Sequence, residues 1–240
     1  MSLATIDPPH QIRFSPRAKY LSLRMTMEHG LEVVVPRKSD LNKIPQLLRE
    51  KRRWIEKVQR RFADYSHQLV GSQDKLPKQI ALPASNEVWQ VEYLTTNRSS
   101  ILIRNANEKQ LLVEGKVESI LACQRALRRW LCLRAQLVLF PWLKAVSEEI
   151  NLPFQKSCVR LQRSRWGCCS VRGTISLNAR LLFLQPELVR YLFIHELCHT
   201  IHLNHSDSYW RLVALKEPAF QRLDAEMREA MQTIPRWTFS

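Results

Sequence analysis

The sequence predicts an α+β protein in which a β-containing region, residues 1–115, precedes a mainly helical domain, residues 116–240. Three features carry that expectation. Short β-branched or alternating runs crowd the first half, and two long stretches repeat apolar residues at helical spacing. A histidine-rich segment, 195–205, follows an apolar run compatible with a helix.

Taken in order, residues 12–36 suggest two short strands joined through Glu28-His29-Gly30. The second, Leu31-Glu32-Val33-Val34-Val35, is β-branched and stops at Pro36. A helix should begin near Asp40 or Asn42, either of which can cap it, and Pro45 favours the later start because proline fits only a first turn. Ile44, Leu47, Leu48, Trp54, Ile55, Val58 and Phe62 continue that helix, and residues 66–76 read as a polar linker. Residues 87–94, 100–104 and 109–113 alternate like an antiparallel meander, with Thr95-Thr96-Asn97-Arg98 as its first turn. A second helical stretch, about 117–150, carries Leu121, Leu127, Leu131, Ala135, Val138 and Trp142; Pro141 should kink or split it. Strands near 157–162 and 174–177 come next. Pro186 then opens the histidine helix, Ser206 or Asp207 caps another, and residues 219–231 form a last amphipathic helix.

An apolar fraction of 45% with 25% charged residues is a globular composition and argues against disorder. The 37 Lys and Arg outnumber the 22 Asp and Glu, a net +15. That surplus favours polyanions such as nucleic acid, and equally suits a solvated basic face. It is uneven: residues 1–61 hold 14 basic against 6 acidic residues, Arg125, Arg128, Arg129 and Arg134 form a second cluster, and Arg160, Arg163, Arg165 and Arg172 a third. No apolar run approaches the roughly 18–20 residues of a membrane span, and the N-terminus does not read as a secretory signal. The expected location is therefore cytoplasmic, with the six cysteines as thiols.

The chemistry concentrates at His195-Glu196-Leu197-Cys198-His199. Residues four apart share one helical face, about 6 Å apart along the axis, so His195 and His199 can present two imidazoles to one tetrahedral Zn²⁺. Glu196 flanks the metal and can take a proton from a water whose pKa the ion lowers. The third ligand has three candidates. His205 lies six residues beyond His199, but on an unbroken helix it would sit about 9 Å further along, so the helix must end near Leu203, with Asn204 as a left-handed terminator. His202 shares the stripe, and Glu217 is the carboxylate rival. A cysteine site from Cys158, Cys168 and Cys169 lacks the usual paired spacing.

Several ordered motifs resemble the YgjP-like metallopeptidase family, which is related to the SprT-like and WLM zinc proteases. They are Arg165-Trp166-Gly167-Cys168-Cys169-Ser170, Ile175-Ser176-Leu177-Asn178, the histidine motif, and Asn204-His205-Ser206 followed by Tyr209-Trp210. A weaker match runs through residues 31–37 and Arg53-Trp54-Ile55. The resemblance implies a zincin-like catalytic domain with His195, His199 and His205 as ligands and Glu196 as general base. Cys168 stands where the family usually has Ser, and Tyr209 where Phe is common. Arg165 and Trp166 are candidates to line the substrate cleft, and Tyr209 or His202 to stabilise an oxyanion; for Trp166 and Tyr209 core packing is the plain alternative.

The resulting expectation is a zinc-dependent peptidase acting on peptide or protein substrates, with nucleic acid as a further partner through the basic surface. One rival is a metal-dependent phosphohydrolase using Arg165 on nucleotides. Another is a nucleic-acid-binding module with a structural zinc, which would need a fourth protein ligand that the sequence does not offer.

Overall fold

The computed structural model describes residues 8–16, 18, 20–26, 30–37, 41–56, 59 and 76–239. The chain divides into two compact units, Met1–Gln73 and Asp74–Ser240.

In the first unit, β1 (Gln11–Ser15), β2 (Ser22–Thr26) and β3 (Gly30–Pro36) form a sheet of order β1-β3-β2. The sequence suggested two strands; there are three. β3 is the central one, parallel to β1 and antiparallel to β2, because its Leu31, Val33 and Val35 are the buried apolar set. Gly30 has φ +65°, a left-handed backbone that only glycine adopts without strain. The rest of the expected turn, Glu28-His29, lies outside the described residues. After a 3-10 turn at Leu41–Lys43, α1 (Ile44–Glu50) begins with Pro45 in its first turn, as expected, but its N-cap is Lys43 and not the Asn42 considered, which lies within the 3-10 turn. Lys51 interrupts it, and helix resumes over 52–56. Ile44, Leu48 and Ile55 complete a small core with β3. Asp40, Val58 and Phe62 lie outside the described residues.

The second unit opens with β4 (Gln79–Leu82), a strand with no forecast in the sequence, then β5 (Glu87–Thr95), β6 (Leu102–Asn107) and β7 (Gln110–Gly115). These are not a meander. The order is β4-β5-β7-β6, with β5 and β7 parallel and β6 displaced to the edge. Burial explains the exchange: β7 places Leu111 and Val113 in the core, whereas β6 is almost wholly exposed and carries Arg104, Asn105 and Asn107. A polar strand belongs where one side faces water.

The long helix α2 (Ile120–Ile150) is uninterrupted. Pro141 does not split it. Proline leaves the Leu137 carbonyl without its helical donor, but both residues are solvent-exposed, where water can replace the bond. Its buried stripe, Cys123, Leu127, Leu131, Ala135, Leu139 and Leu143, repeats every fourth residue and so advances about 40° per step around the helix. The N-terminal half accordingly meets the sheet, where Trp130 packs edge-on against Trp89 and Arg134 pairs with Glu87. The C-terminal half meets the histidine helix, where Trp142 packs edge-on against Phe193. Sheet and helices thus share one core, and position 115/116, the boundary expected from the sequence, runs through it.

A third small sheet holds β8 (Lys156–Arg160), β9 (Gly167–Cys169) and β10 (Thr174–Asn178) in the order β8-β10-β9. β9 had no forecast as a strand; it pairs antiparallel with β10. Then come α3 (Pro186–Cys198), α4 (Asp207–Lys216) and α5 (Phe220–Glu229). Pro186 occupies the first turn of α3, and Ser206, of the two caps considered, accepts from the Tyr209 N–H. The six cysteines are unpaired thiols, and no helix among the described residues is long and apolar enough to cross a membrane.

Candidate metal centre

Helix α3 buries nearly all of its length, because Leu188, Val189, Leu192, Phe193, Ile194 and Leu197 face the core from several sides. His195 and His199 project one turn apart from its last stretch. Immediately beyond, the chain tightens. The Thr200 N–H bonds the Leu197 carbonyl at 3.0 Å, the Ile201 N–H bonds Cys198 O at 3.1 Å, and the Thr200 hydroxyl also donates to Leu197 O at 2.8 Å. These three-residue closures end α3 at Cys198, five residues before the expected Leu203. Asn204 is not left-handed; the described left-handed non-glycine residues are Asn86, Lys109 and Asn151. Ending early achieves what the left-handed terminator was invoked for.

The freed loop swings His205 back over the helix. Its Nε2 lies 3.3 Å from Nε2 of His195, and one ligand nitrogen from each of His195, His199 and His205 falls within 4.8 Å of the others. Among the described residues this is the one cluster able to hold a metal ion; Glu217 and the cysteines form none. The Glu217 carboxylate instead accepts the Ala219 N–H at 3.2 Å.

The donors suit a divalent cation. Nitrogens about 2.0–2.1 Å from a tetrahedral ion stand about 3.4 Å apart, close to the 3.3 Å between His195 and His205. Burial, with the neighbouring His199 and His205, holds the His195 imidazole down at about 4, so it is neutral at pH 7. Burial also lowers His199, opposed by its bond to His202. That bond joins His199 Nδ1 to the His202 carbonyl at 2.9 Å, which places the proton on Nδ1 and leaves Nε2 to face a metal. His202 thus orients His199 through its carbonyl, and its ring is not part of the metal cluster. His205 is stacked on Trp210, with centroids 5.5 Å apart and planes 26° apart, and Trp210 is stacked in turn on Phe220.

Tyr209 is fully buried. Its ring stacks on His199 at 4.5 Å, and its hydroxyl donates to the His195 carbonyl at 3.1 Å. Its ring also meets His205 edge-on at 4.8 Å, so it braces all three histidines. Trp166 is likewise buried, its indole N–H donating to the Met227 carbonyl at 3.1 Å. Arg165 is solvent-exposed, and its charge is felt at Glu196.

The Glu196 side chain lies against β9, with its carboxyl beside Gly167 and the Cys169 N–H. Only 4% of it is exposed, and Oε2 has no protein hydrogen-bond partner. Burial pushes the carboxyl up to about 8, against the Arg165 charge and the backbone N–H of Cys169, both of which favour ionisation. β9 is held in place by the loop before it. Asn178, fully buried, donates from Nδ2 to the carbonyls of Gln162 at 2.9 Å and Arg165 at 2.8 Å. Arg180, also buried, joins Gln162 O at 2.6 Å to the Thr238 hydroxyl at 2.9 Å near the C-terminus. None of His202, Trp210, Asn178 or Cys169 could be assigned these supporting roles from spacing, since each depends on how the folded chain turns a backbone group, a ring face or a side-chain amide towards its partner.

Three imidazoles converge where they could hold a metal ion, and the residue next to the first of them carries a buried carboxyl. The family profile "YgjP-like, metallopeptidase domain" matches residues 19–230, and the chain belongs to that metallopeptidase family. Among solved structures, the chain is similar to the metallopeptidase zymogen abylysin of Pyrococcus abyssi, with 26% identity and a TM-score of 0.34, over 40% of this chain and 92% of the other. No curated protein matches it.

Proposed function

We propose that this protein hydrolyses peptide bonds with a zinc ion held by His195, His199 and His205 and with Glu196 as general base. The observation that carries the reading is the convergence of three imidazole nitrogens within 4.8 Å, with a carboxyl that is 4% exposed on the residue next to His195. Three protein ligands leave a tetrahedral ion one open position, as catalytic sites do. Bound there, the cation supplies Lewis acidity to a water and to the scissile carbonyl. Glu196 takes the proton released by the attacking water and returns it to the leaving amine nitrogen. A carboxyl raised to about 8 by burial holds a proton readily, which suits the second half of that exchange; the charge of a cation beside it favours the ionised form needed for the first.

Arg165, exposed and electrostatically coupled to Glu196, would bind an acidic group of the substrate, and that coupling supports the role. Trp166 and Tyr209 act behind the site, one anchoring the loop before β9 and the other the histidines.

The decisive comparison is wild type against Glu196→Gln, each loaded with zinc and offered unfolded protein or nucleoside triphosphates. Peptide cleavage by the wild type, lost by at least about 100-fold in a variant that keeps its zinc, supports the proposal. Release of phosphate with no peptide cleavage would replace it with the phosphohydrolase reading, for which Arg165 is the motivating residue. Salt-sensitive retention of nucleic acid by the metal-free protein, with no hydrolysis of either substrate, would favour a binding module.

A further inference from the structure

The side chain missing from Gly167 is what the Glu196 carboxyl occupies. A Cβ placed on Gly167 would lie 2.6 Å from Oε1 of Glu196 and 2.9 Å from both Cδ and Cγ, and its three nearest neighbours all belong to that one residue. Non-bonded carbons rest about 3.5–4.0 Å apart, so even alanine overlaps the carboxyl and the methylene behind it. The glycine is not required by its own backbone: its φ is outside the left-handed range. The requirement comes from across the gap.

Neither wall of that gap can withdraw. β9 pairs with β10 through Gly167 and Leu177. The preceding Trp166 is pinned twice, by its indole on Met227 O at 3.1 Å and by the Asn178 N–H on its carbonyl at 2.8 Å. On the other side, Ile194, Leu197 and Cys198 of α3 are fully buried. The Glu196 side chain is therefore the part that must move, and the Cγ contact means that turning the carboxylate alone does not relieve the overlap.

We propose that Gly167 is a positioning residue for Glu196: its bare Cα, with the Cys169 N–H aimed at the carboxylate, forms a cradle that sets where the base sits relative to the metal histidines. The proposal rests on the reading of Glu196 as general base for its catalytic consequence, but not for its geometry. Displacing a catalytic group by about 1 Å costs on the order of 100-fold in rate.

The test is a double-mutant cycle of Gly167→Ala with Glu196→Ala, in the full-length protein. In metal-free protein, Gly167→Ala lowers Tm by about 5 °C in the wild-type background and leaves it unchanged or raised in the Glu196→Ala background, where the methyl fills the vacated space. If the single variant does not fold, recovery of folding in the double variant is the same result. Equal losses in both backgrounds, or failure of both to fold, would overturn the proposal. With zinc loaded, Gly167→Ala keeps full metal stoichiometry and a KM within about twofold of wild type, while kcat falls on the order of 100-fold. An unchanged kcat would overturn it as well. Should the wild type cleave no peptide at all, the proposed function fails, and the Tm cycle still decides the cradle.

Discussion

Replacing Glu196 by Gln should make the metal-free protein more stable, by an amount that grows with pH. The Glu196 carboxyl is raised from 4.5 to about 8, chiefly by burial. The folded state then holds a proton that the unfolded state has released, so stability is full below pH 4.5 and declines as pH rises towards 8. At about 1.4 kcal/mol per unit, the loss is about 3 kcal/mol at pH 7 and approaches about 5 kcal/mol above pH 8. An amide of the same shape cannot ionise and escapes the loss. His195 slopes the other way: with its pKa held at about 4, below the ordinary 6.5, the unfolded state binds the extra proton between those values and stability rises with pH there. That contribution is common to both proteins and cancels in their difference. The assay is urea denaturation of chelator-treated wild type and Glu196→Gln at intervals from pH 5 to 9. The two should be close at pH 5, diverge up to about pH 8 and run nearly parallel beyond it. A constant offset across the range would refute the reasoning, because it would mean that the carboxyl does not titrate between folded and unfolded states as its burial requires.

Other outcomes follow from the same geometry. His205→Ala removes the nitrogen 3.3 Å from His195 and should leave substoichiometric zinc after purification without chelators; a fully loaded variant would return the third position to His202 or another ligand. Tyr209→Phe keeps the ring stacked on His199 but loses the bond to the His195 carbonyl, for about 1 kcal/mol of stability and turnover within a few-fold of wild type. A loss beyond about 100-fold would mean instead that the hydroxyl serves an oxyanion. Arg165→Ala should raise KM for substrates carrying an acidic group near the scissile bond and leave neutral ones unaffected, as measured with matched peptide pairs.

Much of the local structure was legible because it is written in neighbouring residues. His195 and His199, four apart after an apolar run, specify a shared helical face wherever the helix is placed. Pro186 and Ser206 mark helix starts, and Pro45 a first turn, through constraints internal to one or two turns of chain. The resemblance of the ordered motifs to the metallopeptidase family is likewise a property of the chain alone, and the family match over residues 19–230 agrees with it.

What tertiary structure decided is every relation between segments that spacing does not encode. Strand order was one: alternation marks residues 87–94, 100–104 and 109–113 as strands, but only competition for the core sets β7 beside β5 and sends the polar β6 to the edge. Pro141 was another, since its effect depends on whether the orphaned carbonyl faces water or core. At the centre, the approach of His205 to His195 depends on how the last turn of α3 tightens, and the fit of Glu196 depends on the hydrogen atom that Gly167 has in place of a side chain. Periodicity reports the direction in which a side chain leaves its own backbone; packing alone determines what it meets, because the meeting partner lies on a different segment of chain.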